Sequence, residues 1–387
     1  MDIPKRFIPG CFPNKEWGEI RISRISAHQV QLPVKGGVYR MSMGKVISEA
    51  TTTVVHVETN TGVSGFGEVC PLGSNYLPAF AKGVIPGLEE LAPHLLGHNP
   101  IELGKLNLTM DSILKGHSYI KSPIDVACWD VFGKVVGQPL HLLLGGCYQK
   151  KLPLYFSLSS DTKEQMISAL NGARSMGYKQ FQIKCIGDLE DDLERISSIM
   201  ENAEPGELFI ADANQGWSQL EAVRLSQLLK NYPFIIEQPC ETLSACLAVR
   251  DLAVHAMKLD ESVHDLESLI RAMEARAMDV VCIKISKLGG ITKARQLRDL
   301  CASRGISMTI EDTWGSDIVT AALSHLAAST PAKTLLNCCD LNRYLEGQIA
   351  EPVLLQENGF LPVSESYGLG VEPNWQVLGD PVFECAI

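Results

Sequence analysis

Six charged residues occur at nearly regular intervals between positions 184 and 312 of this 387-residue chain, and each of them ends a short apolar run. The intervals are 23 to 28 residues long, close to one strand followed by one helix. In a barrel built from such units all the strands end at one mouth, where barrel enzymes hold their active sites. The residues are Lys184, Asp212, Glu237, Asp260, Lys284 and Asp312.

Three of these groups, Asp212, Glu237 and Asp260, end three successive runs with no basic residue at a run end between them. Buried carboxylates repel one another unless a cation compensates them. Oxygen ligands alone favour Mg²⁺, with Mn²⁺ as an alternative, over zinc. The sequence therefore predicts one Mg²⁺ per subunit. Lys258, two residues before Asp260, is interpreted as structural.

Lys184 and Lys284 flank the three carboxylates from opposite sides. A lysine beside a cation in a low-dielectric mouth has a depressed pKa and can act as a base. We therefore expect a bound metal to chelate a substrate carboxylate and to stabilise the enediolate formed when the α-proton leaves. The lysines would then move protons on the two faces of the substrate. A single charged strand end is usually a surface residue, but that interpretation does not explain six at this spacing.

Alternation along a strand gives the neighbours of these residues. It places Gln182 on the same inward side as Lys184, and Asn214 on the side of Asp212. On the run 306–312 it sets Glu311 opposite to Asp312 and favours Asp312 as the inward residue.

The elements that must position these side chains are parallel βαβ units, which predict an α/β protein with a (β/α) barrel over residues 151–345. Helical stretches such as 163–175, 220–229 and 293–303 separate the runs. The apolar runs are 178–185, 208–214, 234–239, 257–261, 280–286, 306–312 and 334–340.

Residues 20–150 predict an α+β capping domain. A strand at 20–33 and a hairpin of 52–58 with 65–70 precede mostly helical sequence over 80–145, including a helix at 122–136. Residues 1–19 are interpreted as an extended arm. Residues 346–387 are expected to return to the capping domain as irregular structure.

Composition excludes several classes of protein. The chain is 45% apolar and 20% charged, as in a globular protein, and its formal net charge of −11 disfavours nucleic acid and anionic membranes as partners. No apolar run reaches roughly 18 residues, and no signal-like stretch follows the first residues. Twelve cysteines without a Cys-x-x-Cys pair indicate free thiols in a reducing compartment. These observations predict a cytoplasmic protein.

From residue 19 onward the sequence resembles the enolase superfamily, in its mandelate racemase and muconate lactonising enzyme group. The resemblance implies a (β/α)₇β TIM-like barrel under an N-terminal capping domain. It also implies Asp212, Glu237 and Asp260 as metal ligands and Lys184 and Lys284 as the acid/base pair. Gln182 stands where the family often has a lysine. The segments that carry the resemblance are GFGE at 65–68, ACWD at 127–130, LLGG at 143–146, FQIK at 181–184, DANQGW at 212–217, EQP at 237–239, DES at 260–262 and IKISKLGG at 283–290.

Other segments resemble the branch of this group that acts on proline derivatives. They imply that Asp312 holds a cationic ring nitrogen, and that Tyr76 and the loop 35–45 close over the ligand. Trp314 joins Gln182 and Asn214 as a candidate substrate contact, with ordinary packing as its alternative. These segments are CPLG at 70–73 before Tyr76, MDS at 110–112, GHSYIKS at 116–122 and EDTWGSD at 311–317.

The outcome of the reaction stays open between two enzyme classes. After α-proton removal the second lysine either protonates a departing 3-hydroxyl, as in the dehydration of cis-3-hydroxy-L-proline, or reprotonates the α-carbon, as in 2-epimerisation of proline betaine or hydroxyproline betaine. The stretches 312–314 and 338–342 favour the dehydratases, hence a lyase. A non-catalytic binding or structural relative is the alternative of another class, and a homo-oligomer is expected.

Overall fold

The computed structural model describes residues 17–159 and 161–387. The predicted arm lies outside the described residues except for a single 3₁₀ turn at Trp17–Glu19.

The first half of the chain forms an antiparallel sheet covered by helices. β1 pairs with β4 and β4 with β5, and helix α3 lies against β5. Gly65 and Gly67 permit this approach, because a Cβ at either position would overlap the α3 backbone. The elements are β1 (Ile22–Pro33), β2 (Tyr39–Arg40), β3 (Val46–Ile47), β4 (Glu49–Thr59), β5 (Ser64–Val69), α1 (Val84–Leu95), α2 (Leu103–Ile113), α3 (Ser118–Val136) and α4 (Leu140–Leu143).

The second half forms eight parallel strands in sequential order, β7 to β14, after the short strand β6. A parallel bridge from Leu154 to Cys338 joins the first and last of them and closes the barrel. The predicted α/β fold, a (β/α)₇β barrel with a capping domain, is confirmed. The strands are β6 (Lys151–Pro153), β7 (Tyr155–Leu158), β8 (Gln180–Lys184), β9 (Leu208–Asp212), β10 (Ile235–Glu237), β11 (Ala256–Leu259), β12 (Val280–Lys284), β13 (Ser307–Glu311) and β14 (Leu335–Cys338).

Polar N-caps begin several of the barrel helices. Thr162 accepts from the backbone of Gln165 at the start of α5, and Ser218 does the same with Glu221 at α7. These caps mark the residues at which α5 and α7 start. The helices are α5 (Lys163–Ser175), α6 (Leu189–Met200), α7 (Gln219–Leu228), α8 (Leu243–Arg250), α9 (Leu266–Glu274), α10 (Ile285–Leu288), α11 (Ile291–Arg304) and α12 (Asp317–Ala328).

The segment after residue 345 departs from the expectation of irregular structure, because its last residues form a strand. β18 pairs antiparallel with β1 and so extends the sheet of the capping domain. The short elements are β15 (Ala350–Glu351), β16 (Phe360–Pro362), β17 (Glu372–Pro373), α13 (Trp375–Leu378) and β18 (Phe383–Ala386).

Within residues 17–159 and 161–387, no helix combines the length and the apolarity that crossing a bilayer requires. The cysteines of this part of the chain are free thiols.

Candidate active site

The carboxyl ends of the barrel strands bring the predicted acidic and basic residues to one mouth. Lys184, Asp212 and Glu237 are laterally paired on β8, β9 and β10, and therefore form one row. Asp260 directly follows β11, and Lys284 ends β12. All five side chains are buried. The structure thus brings together the five residues predicted as metal ligands and acid/base groups.

Asp212 and Glu237 are held by three side chains. The Nζ of Lys184 donates to Oδ2 of Asp212 at 2.5 Å. The Nε2 of Gln182 donates to Asp212 at 3.2 Å and to Glu237 at 2.9 Å. On its other side, Glu237 pairs with the Nζ of Lys258 at 2.9 Å.

Lys258 corrects the expectation that no cation lies between the three carboxylates. Its ammonium group is fully buried and bridges Glu237 to Glu311, whose Oε1 lies 2.7 Å away. Lateral pairing of Lys258 with Glu237 makes this contact possible, although Lys258 lies below the strand end. Burial and the nearby Asp212 nevertheless raise the pKa of Glu237 to about 8.

Asp260 receives three donors. Lys284 donates to its Oδ2 at 2.5 Å, Tyr76 to the same oxygen at 3.0 Å, and Lys287 to Oδ1 at 2.8 Å. Burial alone would raise the pKa of Asp260, but the two ammonium groups hold it well below its usual value. Asp260 is therefore ionised, and it fixes the position of Lys284.

The two predicted bases differ from expectation in their pKa. Burial lowers the pKa of Lys184, whereas the charge of Asp212 and its hydrogen bond raise it. The net result is a pKa above the usual value. Asp260 has the same effect on Lys284. The predicted depression of the pKa is not found in this arrangement, because each ammonium group is paired with a carboxylate.

The donors around this mouth fit a hard divalent cation. Within the described residues, ligand atoms of Glu237, Asp260 and Cys282 lie within 4.8 Å of one another, whereas the predicted ligand Asp212 lies outside this group. Burial raises the pKa of the Cys282 thiol well above its usual value, which keeps it protonated and makes it a poor ligand. The usable donors are therefore carboxylate oxygens, the ligands that Mg²⁺ and Mn²⁺ prefer.

A pocket lies next to these groups, between the capping domain and the barrel. The capping domain contributes Tyr39 and Tyr76, and the barrel contributes Gln182, Lys184 and Lys284 among others. Several hydrogen bonds hold the capping loop on the barrel, and two of them lie at Tyr39 and Ser42. Tyr39 bonds Ser157 at 2.7 Å, and Ser42 donates to the carbonyl of Cys185 at 2.7 Å. The loop 35–45 therefore lies over the site.

Asp312 and Glu311 both line this pocket, so the alternation argument that excluded Glu311 was wrong. Glu311 ends β13 in lateral register with Lys284, and both side chains point inward. Asp312 follows the strand and accepts from the backbone of Ser286 and Thr313. Burial raises the pKa of Asp312 to about 6, although the Ser286 hydroxyl opposes that shift.

The remaining predicted substrate contacts divide into two groups. Trp314 lines the pocket, where its ring meets Tyr39 at a centroid distance of 5.0 Å. Asn214 is fully buried beside Lys184, with Oδ1 3.4 Å from its Nζ, and does not belong to the described pocket lining. Gln182 lines the pocket and also bonds the carboxylates.

Sequence reasoning missed Tyr155 and Tyr344 in the pocket lining. Tyr155 lies on β7, the first barrel strand, which is only four residues long and was not among the predicted runs. Its hydroxyl donates to Oε2 of Glu311 at 3.0 Å. Tyr344 follows the last strand in a 3₁₀ turn, where no spacing rule applies. An aromatic residue next to each end of the barrel sequence was the one available signal.

An eight-stranded barrel that gathers carboxylates and two lysines under a capping domain defines an enzyme class of known architecture. Residues 24–145 match the N-terminal domain of the mandelate racemase and muconate lactonizing enzyme family, and residues 165–377 match the enolase C-terminal domain-like family. The chain belongs to the mandelate racemase and muconate lactonizing enzyme family and is an enzyme of that family.

Individual relatives cover nearly the whole chain. It is 44% identical to a cis-3-hydroxy-L-proline dehydratase of Roseibium aggregatum, over 94% of this chain and 99% of the relative. It is 27% identical to an N-succinyl-L-Arg/Lys racemase of Bacillus cereus, over 93% of this chain and 97% of the relative. A structure from Roseovarius nubinhibens, solved as a magnesium complex, is similar with a TM-score of 0.91 and 35% identity, over 95% of this chain and 100% of that one. The relatives thus include both predicted classes, a lyase and an isomerase.

Proposed function

We propose that this enzyme removes the α-proton of a proline-type amino acid with the aid of Mg²⁺, and that its reaction is the dehydration of cis-3-hydroxy-L-proline. The observation that carries the proposal is the pair of buried lysines, each bonded to a carboxylate of one three-carboxylate cluster. Two lysines placed in this way can serve the two proton transfers that a dehydration needs. The 44% identity to a dehydratase of this substrate supports the choice of reaction.

Asp212, Glu237 and Asp260 are the residues that would hold the metal. When bound, the cation would bind the substrate carboxylate and stabilise the negative charge that develops as the α-proton leaves. The relative solved with magnesium supports this choice of metal, and Mn²⁺ has the same preference for oxygen ligands.

The chain's own lysines carry the protons. One of Lys184 and Lys284, deprotonated, takes the α-proton. The other, protonated, donates to the 3-hydroxyl, so that the bond from carbon 3 to oxygen breaks and water leaves. Tyr76 bonds both Lys284 and Asp260 and so orients the ammonium group of Lys284.

Recognition of the substrate's ring ammonium requires an anionic partner in the pocket. Asp312 and Glu311 line it, and Lys258 together with Lys284 keeps Glu311 ionised by holding its pKa low against the effect of burial. Trp314 and the capping residue Tyr39 pack against each other in the same lining. We infer that Asp312 binds the ammonium group, with Glu311 adding negative charge to the same wall.

Epimerisation at carbon 2 of proline betaine or hydroxyproline betaine is the second candidate. The same two lysines would perform it if the second lysine returned a proton to the α-carbon. The racemase among the relatives supports keeping it.

The deciding experiment incubates the protein and MgCl₂ in D₂O with cis-3-hydroxy-L-proline or with proline betaine. The proposal predicts that the hydroxyproline loses water and is consumed. NMR measures its disappearance. Deuterium at carbon 2 of the betaine without elimination from the hydroxyproline would favour the epimerase. Neither reaction, with a folded protein and saturating Mg²⁺, would reject both substrates.

A further inference from the structure

Asp212 and Glu237 lie on neighbouring strands and share one hydrogen-bond donor. The Nε2 atom of Gln182 lies 3.2 Å from Oδ2 of Asp212 and 2.9 Å from Oε2 of Glu237. A side-chain amide nitrogen has two hydrogens, so it can donate to both oxygens at once. Gln182 is only 3% exposed, and these bonds therefore form away from bulk water.

The other contacts of the two carboxylates are separate from each other. The backbone N–H of Asn214 donates to Oδ1 of Asp212 at 2.8 Å, and Lys258 holds Oε1 of Glu237. Lys184 reaches Asp212 alone. Among the described side chains, Gln182 is thus the one that bonds both carboxylates and sets their separation.

The amide makes this link without adding charge. Ammonium groups already pair with the carboxylates of this mouth, so an ammonium group at position 182 would add a further positive charge where a cation has to bind. The paired groups are Asp212, Glu237, Asp260 and Glu311 with Lys184, Lys258, Lys284 and Lys287.

We propose that Gln182 is a positioning residue for the divalent cation: it fixes Asp212 and Glu237 relative to each other without placing a further positive charge beside the cation. This inference rests on the metal site of the proposed function. It assigns to Gln182 a role toward the carboxylates in addition to the substrate contact that the sequence predicted.

The test is calorimetric titration of the metal-free protein with MgCl₂ alone, without substrate. Gln182→Met keeps the length of the side chain and removes both donors, and the dissociation constant for Mg²⁺ should rise by about 10- to 100-fold, as for other groups that orient metal ligands. Gln182→Lys keeps a donor for both carboxylates but adds a charge, and it should weaken Mg²⁺ binding by about tenfold without lowering the Tm of the metal-free protein.

Gln180 provides a matched control on the same strand. Its amide bonds the carbonyl of Leu336 and the side chain of Asn337, and it does not touch the carboxylates. Gln180→Met should lower the Tm yet leave the Mg²⁺ affinity within threefold of the wild type.

The outcomes separate the two proposals. If the wild type binds Mg²⁺ and both Gln182 variants bind it within threefold of the wild type, the role of Gln182 is wrong and the metal site stands. An equal loss of affinity in Gln180→Met would likewise reject a specific role. If the folded wild type does not bind Mg²⁺ at millimolar concentration, the metal site of the proposed function fails as well.

Discussion

At the scale of single residues, the site is governed by which ammonium group faces which carboxylate. Lys184 and Lys284 each have one carboxylate partner and lie against the pocket, whereas Lys258 has two partners and is fully buried. The ammonium groups of Lys184 and Lys284 can therefore leave their carboxylate partners and contact a substrate. Lys258 cannot move without leaving two buried carboxylates unpaired.

Removing either pocket lysine should therefore abolish turnover. We expect Lys184→Ala and Lys284→Ala each to lower kcat by about 10²–10⁴-fold, as for other general acid–base groups. Circular dichroism and Tm check the fold. Activity within tenfold of the wild type in either variant would remove that lysine from the mechanism.

Removing Lys258 should instead damage the fold. Lys258→Met leaves Glu237 and Glu311 without their shared partner and should lower the free energy of unfolding by about 3–5 kcal/mol, measured by urea denaturation. Adding Glu311→Gln to this variant removes one unpaired charge and should recover part of the loss. A double variant no more stable than Lys258→Met would show that the two groups are not coupled.

At the scale of elements, the sequence predicted the repeating barrel units and the long strands and helix of the capping domain, but it missed the short strands β7 and β18. The predicted helix 163–175 coincides with α5, because a capping box and a polar loop mark its start. The strand-end positions of Asp212, Glu237 and Asp260 were predictable because each apolar run ends in one charged residue. Glu311 was not, because its inward direction depends on lateral register with Lys284, which spacing within one strand does not contain.

Helix α12 depends on a contact between the domains that local sequence does not reveal. Glu68, on capping strand β5, accepts from the backbone N–H of Ser316 and of Val319 at the N-terminus of α12. The loop that precedes this helix contains Asp312 and Trp314. A single buried carboxylate thus attaches the capping sheet to the pocket wall.

The stability of this contact should depend on pH. Burial raises the pKa of Glu68 from its usual 4.5 to about 7, although the Thr52 hydroxyl and the two N–H groups oppose the rise. At pH values between 4.5 and about 7, Glu68 is deprotonated in the unfolded chain but still protonated in the folded protein. The free energy of unfolding therefore falls as the pH rises.

Glu68→Gln removes this titration and isolates its contribution. The free energy of unfolding of the wild type minus that of Glu68→Gln should decrease by about 3 kcal/mol between pH 4.5 and 7, measured by urea denaturation at several pH values. A difference that does not change with pH would mean that folding does not raise the pKa of Glu68.

At the scale of the whole molecule, the chain passes from capping domain to barrel and back. β18 pairs with β1 from Arg24 opposite Ala386 to Ala27 opposite Phe383. The same sheet continues through β4 to β5, which supports Glu68. The irregular composition of residues 346–387 hid this strand, since only a few residues at the end are paired. The domain boundaries at residues 150 and 345 and the homo-oligomer stay predictions.

Truncation tests what the returning strand does for the capping domain. Deleting residues 381–387 removes β18 and exposes the edge of β1, so we expect a lower Tm and faster hydrogen exchange in β1 and β4 than in the barrel strands. KM should rise more than kcat falls, because the capping domain supplies Tyr39 and Tyr76 while the lysines stay on the barrel. Deleting Ile387 alone, which is 82% exposed, is the matched control. Uniform acceleration of exchange in both domains would instead mean that capping sheet and barrel open as one cooperative unit.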